Sequence, residues 1–156
     1  MKPSDVRFRI LAEHTHLRGM VADLNLIVSR LKRGEPEDVS RLFNFSNQLR
    51  MILERHMALE EQWLVPALRK APWGDIRAKQ ILEDHENQRA ALEVLAELEQ
   101  RGSIPELSQG LLSLGNLLLE DMHQEEEECL HRICFATITT CSWIRSRTEP
   151  KEPGYG

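Results

Sequence analysis

Ile10, Leu17, Val21, Leu24, Val28 and Leu31 follow one another at steps of three, four or seven, the intervals at which an α-helix returns to the same face. The same signature recurs three more times. A second helix is predicted from about Glu37 to Arg69, with Leu42, Leu49, Ile52, Leu59 and Trp63 inward. A third carries Ile81, Leu82, Leu92, Leu95 and Leu98, and a fourth carries Leu107, Leu111, Leu112, Leu114, Leu118 and Leu119 and runs on to Cys134. Breakers sit between them: Arg33-Gly34-Glu35-Pro36, Ala71-Pro72-Trp73-Gly74-Asp75 and Arg101-Gly102-Ser103-Ile104-Pro105. Connections this short place consecutive helices antiparallel. The expected fold is therefore all-α, an antiparallel up-down-up-down four-helix bundle over residues 1–134, with a short irregular C-terminal tail over 135–156.

Local signals refine that outline. Ser4 is suited to cap the first helix and Asp75 the third, while Pro66 should bend or end the second. Threonine and proline in Ala136-Thr137-Ile138-Thr139-Thr140 and Thr148-Glu149-Pro150 disfavour helix, so the tail is expected to pack only through Trp143 and Ile144. A chain of 156 residues buries enough surface to fold without staples. A net charge of -5 lacks the basic face that nucleic acid requires, and no apolar run is long enough to span a bilayer, so neither nucleic acid nor membrane is an expected partner. The N-terminus leads into an arginine-bearing helix and not a signal-peptide core, which makes the cytoplasm the expected location. Cys129, Cys134 and Cys141 are odd in number and have no C-x-x-C spacing, and they read as small buried apolar residues.

Histidines fall at core phase in every helix. His14 extends the first stripe back from Leu17, whereas His16 is two residues off and points outward. His56 lies on the inner side of the second helix and His85 one step after Ile81 on the third. His123 follows a helix whose leucines almost surround it; Glu127, Leu130 and Ile133 favour placing it inward. His56 precedes Glu60-Glu61, and His123 precedes Glu127-Glu128, by the same four-residue interval, so each pair of His and Glu shares a helix face. Buried carboxylates without a partner cost several kcal/mol per ion, and a cation at the centre reverses that sign. Imidazole nitrogens and carboxylate oxygens without thiolate suit iron, manganese or zinc, and a bridging carboxylate suits a pair of metals. Within the acidic run, Glu125, Glu126 and Glu128 read as a solvated face, and Glu61 as a neighbour of the site rather than a ligand.

The arrangement His14, then His56-x-x-x-Glu60-Glu61, then Glu83-Asp84-His85, then His123-x-x-x-Glu127-Glu128 resembles the hemerythrin-like, or HHE cation-binding, domain over about residues 5–134. That resemblance implies a non-haem di-iron centre, oxo- or hydroxo-bridged, with His14, His56, His85 and His123 as terminal metal ligands and Glu60 and Glu127 as bridges; zinc or manganese are the alternative ions. It departs from the oxygen-carrying hemerythrins at Arg89, where those proteins place a further histidine. One iron then lacks a nitrogen ligand, and the guanidinium can pair with an acidic neighbour. A ferritin-like site would need Glu-x-x-His on two helices, and the chain has it once, at Glu120-Asp121-Met122-His123.

The implied function is a metal-binding protein that binds or senses dioxygen or a related small oxidant, peroxide or nitric oxide. A di-iron enzyme of peroxide detoxification or iron-centre repair, and a zinc-bound structural bundle, stand as alternatives. A binding role ranks ahead of a dedicated enzyme. The expected partners are a small diatomic or peroxide ligand and either a second copy of the chain or a separate output or redox protein.

Overall fold

A computed structural model describes residues 2–132. The tail, with Trp143, Ile144, Cys134 and Cys141, and the boundary expected at residue 134 lie outside those residues. Helix α1 spans Pro3–Lys32 and α2 spans Glu37–Leu59. A π-helical turn, Glu60–Leu64, carries α2 into α3, Val65–Arg69; α4 is Asp75–Arg101, and α5, Ile104–Glu125, ends in a second π-turn, Glu126–Leu130. Among the described residues there is no strand, and the four long rods form the expected all-α bundle. Helix α1 packs against α2 and α5, and α4 against α5 and α3. No described helix is long and apolar enough to cross a membrane.

The connections differ in detail from the sequence expectation. Helix α1 begins at Pro3, not at a Ser4 cap, because proline's fixed φ and missing N–H suit the first turn of a helix. Asp75 is the first residue of α4 instead of its cap, and its charge there complements the helix dipole. Gly102 closes α4 in the left-handed region, φ 67°, which glycine adopts without strain. Pro66 does not end the second rod. The chain absorbs it through the π-turn just before, in which the Val65 N–H reaches back five residues to the Glu60 carbonyl. The His131 N–H makes the same five-residue bond to the Glu126 carbonyl at the end of α5.

Two apolar clusters fill the interior. One is built around Leu17, Leu24, Leu42, Leu53, Leu111 and Leu118; each such leucine, taken from water, contributes roughly 1.5–3 kcal/mol. The other gathers Ile10, Leu64, Leu68, Ile81, Cys129 and Leu130. In every rod the chain passes from one cluster to the other through a polar residue: His14 between Ile10 and Leu17, His56 and Glu60 between Leu53 and Leu64, His85 between Ile81 and Leu92, and Glu125 between Leu118 and Cys129. A buried polar layer thus lies between the two apolar clusters.

Candidate metal centre

Within that layer the side chains converge on the Glu60 carboxylate, which is 1% exposed. Its Oε1 lies 3.1 Å from His56 Nε2 and 3.7 Å from His14 Nε2, and its Oε2 lies 3.0 Å from His85 Nε2. Glu125 comes in from α5, with Oε2 3.2 Å from His14 Nε2. The His14 and His56 rings meet edge to face, 5.0 Å between centroids, which aims both Nε2 atoms at the same oxygen. One ligand atom from each of His14, His56, Glu60 and Glu125 falls within 4.8 Å of the others, and all four residues are buried.

The structure therefore brings together His14, His56, Glu60 and His85, as the sequence suggested, and adds Glu125. It does not bring His123 or Glu127: both are exposed. Their expected inward phase is corrected because α5 carries two leucine stripes. The stripe through Leu107, Leu111, Leu114 and Leu118 is the buried one, and its continuation at the same intervals reaches Met122, Glu125 and Cys129. Leu112 and Leu119, half-buried, lead instead toward His123. The solvated reading of Glu125 is corrected with it, and extending the first stripe alone would have found that residue. His16 is exposed and Cys129 is buried, as expected.

Around each inward-facing imidazole lies an outer carboxylate. His56 Nδ1 is 3.1 Å from Glu13 Oε2, His85 Nδ1 is 2.9 Å from Glu61 Oε1, and His14 Nδ1 is 2.8 Å from Glu126 Oε1. Each carboxylate in turn meets an arginine: Arg55 Nε at 3.5 Å from Glu13, Arg89 Nη2 at 2.8 Å from Glu61, and Arg18 Nη1 at 2.8 Å from Glu126. The Arg89 expected to pair with an acidic neighbour does so with Glu61. Glu13 and Glu126 carried no signal in the His-to-Glu interval, since they touch histidines of other helices.

The charges in the layer are strongly coupled. Burial drives Glu60 toward the neutral form, but the charge of His56, the close approach of His14 and the hydrogen bond with His85 overcome it and hold the carboxyl well below its ordinary range. Burial alone would lower both imidazoles; Glu125 and Glu60 raise His14 to about 9, and Glu60 and Glu13 raise His56 to about 10. Glu125, buried and facing the negative Glu60, is pushed up to about 8. Burial raises the Cys129 thiol to about 11, so it is protonated at neutral pH and a poor thiolate ligand.

Three buried atoms of the cluster lack a hydrogen-bond partner among the described residues: His14 Nε2, Glu60 Oε1 and Glu125 Oε2. They sit close together without the alignment a hydrogen bond needs, and a cation between them accepts from every donor at once. The residues fit a metal ion, and the nitrogen and oxygen donor set suits iron, manganese or zinc. Beside Glu125, between α4 and α5, lies a cavity of about 240 Å³ whose lining includes Arg77, Asp84, Asp121, Gln124 and Cys129.

No curated protein and no solved structure matches this sequence. A family model, the hemerythrin HHE cation binding domain, matches residues 6–133, nearly the whole of the bundle and every residue of the buried cluster. With its helical fold and its histidine–carboxylate layer, the chain belongs to the hemerythrin HHE cation-binding domain family.

Proposed function

We propose that the buried cluster is a dinuclear iron centre and that the protein binds or senses dioxygen or a related small oxidant, peroxide or nitric oxide. The observation that carries this reading is the two-sided environment of Glu60. Oε1 faces His14 and His56, while Oε2 faces His85. A carboxylate with imidazoles on both sides is placed to bridge two cations. His14, His56 and Glu125 would hold one cation together with Glu60, and His85 with Glu60 would hold the other. Zinc or manganese suit the same donors, so the identity of the ion is part of the test.

Iron in this layer supplies one-electron chemistry toward small oxidants. The chain's own residues exclude bulk water with the two apolar clusters and fix the imidazoles through Glu13, Glu61 and Glu126. They also leave the cavity beside Glu125 as room for a small molecule. Its size accommodates a diatomic or peroxide together with water, and its mixed lining of Arg77, Asp84 and Asp121 suits a polar guest.

The test is metal analysis with an optical spectrum of anaerobically prepared protein before and after air. Two irons per chain and an absorption change on admitting air support the proposal. A colourless protein holding stoichiometric zinc overturns the oxidant-binding reading, and steady consumption of peroxide replaces it with an enzymatic one.

A further inference from the structure

The three outer carboxylates form a chain of contacts across the bundle, from α5 to α1, from α1 to α2 and from the π-turn after α2 to α4. Each is the sequence neighbour of an inward ligand but serves a histidine on a different rod. Glu13, beside His14 on α1, contacts His56 on α2; Glu61, beside Glu60, contacts His85 on α4; Glu126, beside Glu125, contacts His14 on α1. The arginine that engages each carboxylate comes back from the helix of the histidine being held: Arg55 beside His56, Arg89 one turn after His85, Arg18 one turn after His14. Glu61 and Glu126 each use a single oxygen, Oε1, for both their histidine and their arginine.

We propose that Glu13, Glu61 and Glu126 are positioning residues. Each fixes one imidazole with Nδ1–H turned outward and Nε2 turned to the centre, so that cation binding depends on all three cross-helix clamps. An ionised carboxylate has no proton to give, so the imidazole must donate from Nδ1, and that leaves Nε2 for the cation. The arginine keeps the carboxylate from rotating away and from competing for the cation itself. Because every clamp joins two rods, the donors reach their places only when the rods are docked. The π-turns assist: Glu60-Glu61 and Glu126 stand at the starts of the two wider turns, so that Glu60 and Glu61 point to the centre and to His85 at once.

This inference requires a divalent cation at the cluster but neither iron nor an oxidant, so Zn²⁺ is the probe. Its affinity is measured against a chelator for the full chain and for Glu13→Ala, Glu61→Ala and Glu126→Ala, with each Glu→Gln alongside. Each alanine variant should bind Zn²⁺ about 10- to 100-fold more weakly, and each glutamine variant, which keeps an acceptor oxygen, should recover most of that loss. Nitrogen-15 NMR of the Zn²⁺-loaded protein supplies a readout that general loosening would not move. The Nδ1–H signal should change at His56 alone for Glu13→Ala, at His85 alone for Glu61→Ala and at His14 alone for Glu126→Ala.

Should an alanine variant fold poorly, Arg18→Gln and Arg89→Gln on the more exposed side of the same clamps serve instead, with a smaller loss expected at the same histidine. Affinities within twofold of the parent, with His56→Ala abolishing binding, overturn the positioning role and leave the metal centre standing. Unchanged affinity in His56→Ala as well removes both.

Discussion

Glu60 and His85, on rods separated by the turn at Gly74, meet with Oε2 3.0 Å from Nε2, while the other Glu60 oxygen faces His14 and His56. One carboxylate thereby ties α4 to α1 and α2. In the metal-free protein it is the counter-charge of His14 and His56, and in the dinuclear centre proposed above it would be the bridge.

If Glu60 bridges, removing the single nitrogen on its Oε2 side should cost one cation and spare the other. His85→Ala should lower the metal content from two ions per chain to one, and His56→Ala should lower affinity at both positions. Elemental analysis of protein loaded with excess metal and then desalted checks this. Two ions retained by His85→Ala would remove His85 from the ligand set.

Exposure separates the two faces of α5 and of the π-turn that follows it. His123→Ala and Glu127→Ala should leave Zn²⁺ affinity within about twofold and stability within about 0.5 kcal/mol, as for surface positions generally. Glu125→Ala should weaken binding by at least tenfold. A loss of metal on His123→Ala would restore the phase that the buried leucine stripe argues against.

The coupled charges set a pH dependence for the metal-free bundle. His14 and His56 are raised from an ordinary 6.5 to about 9 and about 10. Groups raised in this way contribute stability that is complete below pH 6.5 and is lost as pH climbs through those values. Glu60, held well below 4.5, contributes stability present above that pH and lost as pH falls through its folded value. Thermal melting of metal-free protein should therefore decline from neutral pH toward pH 10, while Zn²⁺ binding tightens over the same range because the imidazoles no longer hold protons that must leave. A melting temperature flat from pH 7 to 10 would contradict the charged state described for the layer.

Glu125 is buried against a negative neighbour and ionises only at about 8. Glu125→Gln keeps the volume and removes that burden. Metal-free Glu125→Gln should melt higher than the parent at pH 9, where the parent must ionise Glu125, and bind Zn²⁺ less tightly. Equal melting of the two proteins at pH 9 would show that the carboxylate is not stored at a cost.

The turn before α4 admits no side chain at Gly74, where an added Cβ would come within 1.9 Å of the Leu68 carbonyl oxygen. Gly74→Ala should destabilise by about 1–3 kcal/mol, lowering the melting temperature by roughly 2–4 °C per kcal/mol. An unchanged melting curve would mean that the turn rearranges freely.

The amino-acid order by itself determined the four amphipathic rods, their short connections and the inward faces of α1, α2 and α4. In those rods one apolar stripe dominates, and stepping along it by three and four residues lands on His14, His56 and His85. Helix α5 offered two stripes, and only packing against α1 and α4 decided which was buried, bringing in Glu125 and turning out His123 and Glu127. The clamps were decided in the same way. Glu13, Glu61 and Glu126 pair with histidines on other helices, and periodicity within one helix carries no information about what the facing helix presents across the bundle.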